Sequence, residues 1–227
     1  MNSVTLILLT YNRLEVTERC LEHNLKNAGH KIDEMVCVDN GSTDGVRDYV
    51  LSKNFDTYVL FNENTGVSNG FNECYKHATS DLIVRPCTDT TMPDNWLKIM
   101  IDCYNLVKNP GLIGMYPTDD IPKERVLGKP LKIEEYTLLP SLVLNSVIFS
   151  RKCLDEVDFL PKIGETKYGW EDVIWAERFI EKRYNNYYIL GHNTNNLGNS
   201  DSSEYKEWKR EQAELGRKVL LDKSWSE

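Results

Sequence analysis

The sequence contains no pair of cysteines at metal-clip or redox spacing. Its six cysteines, Cys20, Cys37, Cys74, Cys87, Cys103 and Cys153, are scattered with no C-x-x-C, which excludes zinc-ribbon and thioredoxin-like chemistry. Several sit in apolar runs, such as Cys37 in EMVCVDN. They read as buried, reduced thiols and point to a cytoplasmic setting. An excess of basic residues is also missing: 27 Lys and Arg stand against 35 Asp and Glu, a formal net charge of -8. Binding to nucleic acid through phosphates calls for a basic face, so the balance argues against a nucleic acid partner. No apolar stretch approaches the length of a transmembrane segment. The opening MNSVTLILLTYNR has neither a basic leader region nor a small-residue cleavage site, and it reads as a strand rather than a signal peptide. Hydrophobic residues make up 41% and charged residues 27% of the 227. That balance fits one globular domain with at most a small extension.

Apolar runs rich in β-formers alternate with helical patterns. VTLILL (4–9), EMVCVDN (34–40), TYVLFN (57–62), DLIVRPC (81–87) and GLIGMYP (111–117) read as buried strands. Between them, Leu14 to about Lys26 puts Leu14, Thr17, Leu21 and Leu25 on one helical face. Further helices are expected after the turn GSTDG (41–45) to about Ser52, over Gly66–Ala78, and over Asp94–Val107. Strands separated by helices imply an α/β fold, a mostly parallel central sheet with helices on both faces. Ligands of such sheets bind at the carboxyl ends of the strands. The informative residues are therefore Thr10, Tyr11, Asn12 and Arg13, then Asp39 to Gly41, Asn62 to Gly66, and Thr88 to Thr90.

After residue 117 the pattern changes. Residues 118–140, with Pro122, Pro130 and Pro140, read as an irregular region or a hairpin. SLVLNSVIFS (141–150) is expected as a strand, 151–157 as a short helix, YGWEDVIWAERFIEKR (168–183) as an amphipathic helix, and YYILGH (187–192) as a last strand. NTNNLGNSDSS (193–203) reads as a loop. The tail from Glu204 reads as a charged helix with few apolar anchors: Trp208, Leu215, Val219 and Leu220. The expected division is a domain over 1–200, with halves at about 1–117 and 118–200, and a helical extension over 201–227.

Three stretches carry chemistry. Asp39, at a strand end before Asn-Gly-Ser, suits a base or ribose, and equally a helix-capping turn. Asp89, in CTDTTMPDNW, is a hard oxygen ligand at a strand end, and equally the start of an Asx-turn. Glu171 and Asp172 open a helix, where acids are favoured in any case. Beside them Trp170 offers an aromatic plate, and an aromatic next to a carboxylate is a common sugar-binding arrangement. Either carboxylate is a candidate general base.

Taken in order, SVTLILLTYNR, EMVCVDNGSTDG, FNENTGVSNGFNECYKHATSD, CTDTTMPDNWL, LNSVIFSRKCLDEV and YGWEDVIWAERF resemble the family-two glycosyltransferases of the GT-A fold, over roughly residues 3–200. The resemblance implies that Thr10, Tyr11 and Asn12, with Asp39, hold the nucleobase and ribose. Arg13 and Thr88 sit at the same strand ends and join the nucleotide-sugar set. Asn64 and Gly66, with Asn72 further along the helix, look like the family's nucleotide-lining segment. Asp89 matches the last acid of the D-x-D-like metal motif. The first position of that motif is here Cys87, a poor ligand for Mg²⁺, so Mn²⁺ or Mg²⁺ would rest on Asp89 alone or with His192. A lone His is equally a packed strand-end residue. Glu171-Asp172 matches the ED motif, whose Asp is the usual base, and Trp170 would pack on acceptor or donor sugar. The implied reaction is inverting transfer from a UDP-, GDP- or dTDP-sugar to a glycan, lipid-linked or other acceptor. Any peripheral membrane contact would run through the C-terminal helix, on a thin apolar face.

Three other readings compete. A nucleotidyltransferase of the same fold is opposed by TYNRLE, which lacks the Gly- and basic-rich loop such enzymes carry. A non-catalytic sugar- or nucleotide-binding module is favoured by Cys87 and opposed by the intact Glu171-Asp172 pair. A transferase acting on modified DNA bases is opposed by the acidic balance.

Overall fold

The computed structural model describes residues 2–144, 146–198 and 203–221. Nine strands form the central sheet in the order β3-β2-β1-β4-β9-β6-β10-β8-β7. They are β1 (Val4–Thr10), β2 (Glu34–Asp39), β3 (Thr57–Leu60), β4 (Leu82–Arg85), β6 (Pro110–Gly114), β7 (Leu131–Ile133), β8 (Tyr136–Pro140), β9 (Val147–Ser150) and β10 (Asn185–Leu190). A separate two-stranded ladder pairs β5 (Thr90–Thr91) with β11 (Asn195–Asn196). The helices are α1 (Leu14–Lys26), α2 (Val46–Leu51), α3 (Val67–His77), α4 (Trp96–Leu106), α5 (Arg151–Val157), α6 (Glu171–Glu181) and α7 (Ser203–Leu221).

The first four strands are mutually parallel, as continuous apolar runs predict. Every residue of β1 is buried. Alternation across the pleat sends Leu6 and Leu8 into one core layer, with Trp96 and Met100. Ile7 and Leu9 enter the other, with Tyr75, Phe149, Trp175 and Phe179. Both buried indoles satisfy their N–H: Trp96 Nε1 donates to Asn24 O at 2.8 Å and Trp175 Nε1 to Asp158 O at 3.0 Å.

The second half of the sheet is mixed. Strand β9 inserts antiparallel between β4 and β6, and β10 runs parallel to β6 but antiparallel to β8. Residues 118–140 hold a short 3-10 turn, Lys123–Arg125, and the β7–β8 hairpin.

Three expectations change. The strand expected over 141–150 is confined to Val147–Ser150. Upstream of it, Ser141 bridges Val126 and the Leu144 amide donates to the Tyr188 hydroxyl at 2.9 Å, so this backbone is satisfied outside the ladder; residue 145 lies outside the described residues. The helix expected from 168 begins at Glu171, because Gly169 (φ 107) and Trp170 (φ 73) adopt left-handed backbone that a helix excludes. The loop expected over 193–203 contains β11, and its stretch 199–202 lies outside the described residues.

All six cysteines are free, and all but Cys87 are buried. Among the described residues no helix is long and apolar enough to cross a membrane.

Candidate active site

The carboxyl ends of β1, β2 and β3 feed three loops that side-chain amides join together. Asn12 and Arg13 take left-handed backbone, with φ of 52 and 68. The turn points Asn12 at the next loop: its backbone N–H donates to Ser42 Oγ at 2.8 Å, and Thr43 N donates to its Oδ1 at 2.8 Å. Asn40 links that loop to the third. Its Oδ1 accepts from Thr65 N at 2.8 Å and Thr65 Oγ1 at 3.0 Å, and its Nδ2 donates to Asn64 Oδ1 and Gly66 O, both at 3.2 Å. Gly66 has φ 92 and ψ 164, a backbone essentially reserved for glycine, and a Cβ there would meet Lys167 Cα at 3.2 Å.

Above these loops opens a cleft of about 550 Å³. Thr10, Tyr11, Asn12, Arg13, Asn64, Thr88 and Asp89 line it from the sheet, and Trp170, Glu171 and Asp172 line it from the start of α6. Residues as far apart as 10 and 172 thus share one cavity.

Four expected site residues stand behind or away from the cleft. Asp39 is fully buried. Its carboxylate accepts from Arg47 Nε at 2.8 Å, Ser42 N at 3.2 Å and Thr10 Oγ1 at 3.2 Å, so it braces the loops from below. Gly66 caps α3 beside the cavity. Asn72 spends both ends of its amide on Leu160, donating to its O and accepting from its N at 2.9 Å each. The His192 ring packs 6.1 Å from that of Tyr136 and does not line the cleft.

At the α6 end, Arg85 rises from the last position of β4 and donates from Nη2 to Asp172 Oδ1 at 2.9 Å. The other Asp172 oxygen makes no hydrogen bond to the described residues. Burial opposes the Arg85 charge, but Asp172, with Tyr75 and Cys87 adding to it, raises the guanidinium pKa on balance. Glu171 is only 5% exposed. Burial, and then the Asp172 charge beside it, push the Glu171 carboxyl up to about 7.

A divalent cation finds one suitable carboxylate here. Asp89 faces the cleft and pairs with Arg13 Nη1 at 3.3 Å, and its backbone O is held by Leu197 N at 2.7 Å. Burial, with Asp89 adding to it, pushes the Cys87 thiol up to about 12. Cys87 is in any case a soft donor for Mg²⁺. Among the described residues no three His, Cys, Asp or Glu side chains gather as a metal cluster. The donor set fits a cation held by Asp89 with the oxygens of a bound diphosphate completing its sphere.

Several lining residues were not singled out for the site by the sequence: Arg85, Tyr168, and Tyr205, Trp208 and Lys209 of α7. Arg85 was visible only as a charge closing the apolar run LIV. Trp170 is 38% exposed, and its Nε1 donates to Ala213 O of α7 at 2.8 Å. The indole that looked like a sugar plate therefore also anchors the C-terminal helix over the cleft.

Residues 5–106 match the profile of the family described as Glycosyl transferase family 2. No curated protein matches the chain. Among solved structures, it is similar to the mannosyltransferase PcManGT from Pyrobaculum calidifontis in complex with GDP-Man and Mn²⁺. The TM-score is 0.64 at 20% identity, over 91% of this chain and 59% of that one. It is also similar to S. aureus TarS, with a TM-score of 0.58 at 17% identity, over 85% of this chain and 36% of that one. The chain thus spans less than two thirds of either protein, and at these identities the likeness establishes the fold. Residues 5–106 thus match the glycosyl transferase family 2 profile, within a GT-A fold that extends over most of the chain.

Proposed function

We propose that this chain transfers a sugar from a nucleotide-diphosphate donor to an acceptor hydroxyl, with inversion at the anomeric carbon. One observation carries this reading. A single cleft at the strand ends joins the loops of the family-two segment and Asp89 to the Glu171–Asp172 pair, which lies outside that segment.

In this reading Thr10, Tyr11, Asn12 and Asn64 hold the base and ribose, with Arg13 and Thr88 towards the phosphates. Asp39, Gly66 and Asn72 act from behind, by fixing the loops. Asp172 is the general base. Arg85 fixes one of its oxygens and leaves the other to take the proton of the acceptor hydroxyl. The hydroxyl oxygen bonds to the anomeric carbon as the bond to the diphosphate breaks, and the leaving electron pair goes to the phosphate oxygen. A divalent cation, Mn²⁺ or Mg²⁺, held by Asp89, supplies charge neutralisation of that leaving group when bound. The Mn²⁺ and GDP-Man of the Pyrobaculum enzyme support this choice of cofactor and donor class. Residues 1–117 then form the nucleotide half and 118–200 the acceptor half, facing a glycan or lipid-linked acceptor. The free thiols support a cytoplasmic setting.

The test is calorimetric titration of UDP, GDP and dTDP, with Mn²⁺ and with a chelator. Metal-dependent binding of one diphosphate in the micromolar range supports the reading and names the donor base. No binding of any of them in either condition removes the donor site.

A further inference from the structure

Helix α7 lies outside the residues that match the family-two profile, and it docks along the loop 164–170 that leads into α6. The contacts run the length of that loop. A Cβ at Gly164 would meet Val219 Cγ2 at 3.1 Å, and one at Gly169 would meet Ala213 Cα at 3.0 Å. Between them Lys167 N donates to Gln212 Oε1 at 2.9 Å, and the Tyr168 ring lies 6.3 Å from that of Trp208. Trp170 Nε1 donates to Ala213 O at 2.8 Å, and a Cβ at Gly216 would meet its Cδ1 at 3.1 Å. On the other side of the loop, Val67 N at the start of α3 donates to Lys167 O at 2.9 Å. No helix or strand runs through 164–170, so these neighbours give the loop its shape.

The loop ends in two left-handed residues, Gly169 (φ 107) and Trp170 (φ 73). A side chain opposes that backbone, and a tryptophan keeps it only where its surroundings impose it. Glu171 and Asp172 follow at once as the first two residues of α6. Any rotation of the turn therefore moves both carboxylates, and the sheet holds Asp172 through one oxygen only, by Arg85 Nη2 at 2.9 Å.

We propose that α7 is a clip on the turn at 169–170 and that Trp170 is a positioning residue, whose bond to Ala213 O sets the direction in which α6 presents Asp172 to the cleft. The clip rests on the reading of Asp172 as the base and deepens it: the C-terminal helix aims that base from outside the cleft floor.

The test uses the full chain and needs no substrate. Trp170→Phe keeps an aromatic ring and removes the N–H. Gly216→Leu presses on the same indole from α7. Lys218→Ala, on the exposed side of α7, is the control. Carboxyl-carbon NMR follows Glu171 and Asp172, assigned with Glu171→Gln and Asp172→Asn. Burial and then the Asp172 charge hold the Glu171 carboxyl up at about 7, against Arg85 and the backbone N–H groups of Glu171 and Gly169. In Trp170→Phe and Gly216→Leu its midpoint should fall by about one pH unit or more as water reaches it. The Asp172 signal should move in the same variants, and neither signal should move in Lys218→Ala. Wild-type signals for both carboxyls in both variants overturn the clip and leave the base reading intact. Asp172→Asn transferring at more than about a tenth of the wild-type rate overturns the base reading, whatever the two signals do.

Discussion

Arg85 Nη2 and Asp172 Oδ1 lie 2.9 Å apart, and the two side chains are buried very unequally, at 4% and 32% exposed. The guanidinium is also covered by aromatic faces, 4.5 Å from the Phe71 centroid and 5.6 Å from that of Trp175. The carboxylate reaches the cleft while the cation stays beneath it. The unequal burial decides which partner the fold depends on.

Asp172→Ala strands a buried cation and should cost about 3–5 kcal/mol, the usual penalty for breaking a buried pair from one side. Arg85→Met strands a carboxylate that water can reach, and should cost clearly less. Asp172→Asn keeps an oxygen acceptor for Arg85 but cannot take a proton. It should keep the fold and diphosphate binding while transfer falls by roughly 10²–10⁴-fold. Urea unfolding of the three variants, with initial rates for Asp172→Asn, measures both effects. A rate above about a tenth of wild type would remove Asp172 from the role of base.

Glu171 gives the stability a pH dependence. Its carboxyl is raised from 4.5 to about 7 in the folded chain, chiefly by burial. Between those values the folded state holds a proton that the unfolded state has released. The contribution is therefore fully present below about 4.5 and is lost as pH rises through about 7. Glu171→Gln removes the titration, so the variant should gain stability relative to wild type between pH 5 and pH 8. Unfolding free energies of both proteins at the two pH values check this; a difference that does not change with pH refutes it.

The seat of α7 depends on small residues. A Cβ at Gly216 would meet Trp170 Cδ1 at 3.1 Å, and one at Gly169 would meet Ala213 Cα at 3.0 Å. Gly216→Leu should displace α7 from the loop at 169–170 and speed limited proteolysis within residues 203–221, while the thermal unfolding of the sheet changes little. Unchanged proteolysis would show that α7 is held by other contacts, such as the bond from Lys167 N to Gln212 Oε1 at 2.9 Å.

The first half of the sheet was legible because parallel strands buried on both faces are almost continuously apolar, as VTLILLT is between Thr5 and Thr10. The cleft was legible in outline because residues after such strands converge at one end. Arg85 was not, since its meaning lies in a partner 87 positions away. The place of α7 was also hidden. It docks through Ala213 and Gly216, whose smallness leaves no trace in a hydropathy pattern, and through backbone carbonyls that every residue carries. Asp39 and Asn72 show the reverse. Their polarity drew attention as ligand contacts, while in the fold their side chains are engaged by Arg47, Ser42 and Thr10 and by Leu160. A sequence displays a hydrogen-bonding group without displaying whom it serves.

Asn12 and Asn40 stitch three successive strand-end loops into one unit through hydrogen bonds between side chains and backbone. Exchanging one of those loops with a relative would break amide pairs on the loop left behind. Recombination, in the laboratory or in evolution, therefore has to move residues 10–13, 39–45 and 62–66 as a single cassette.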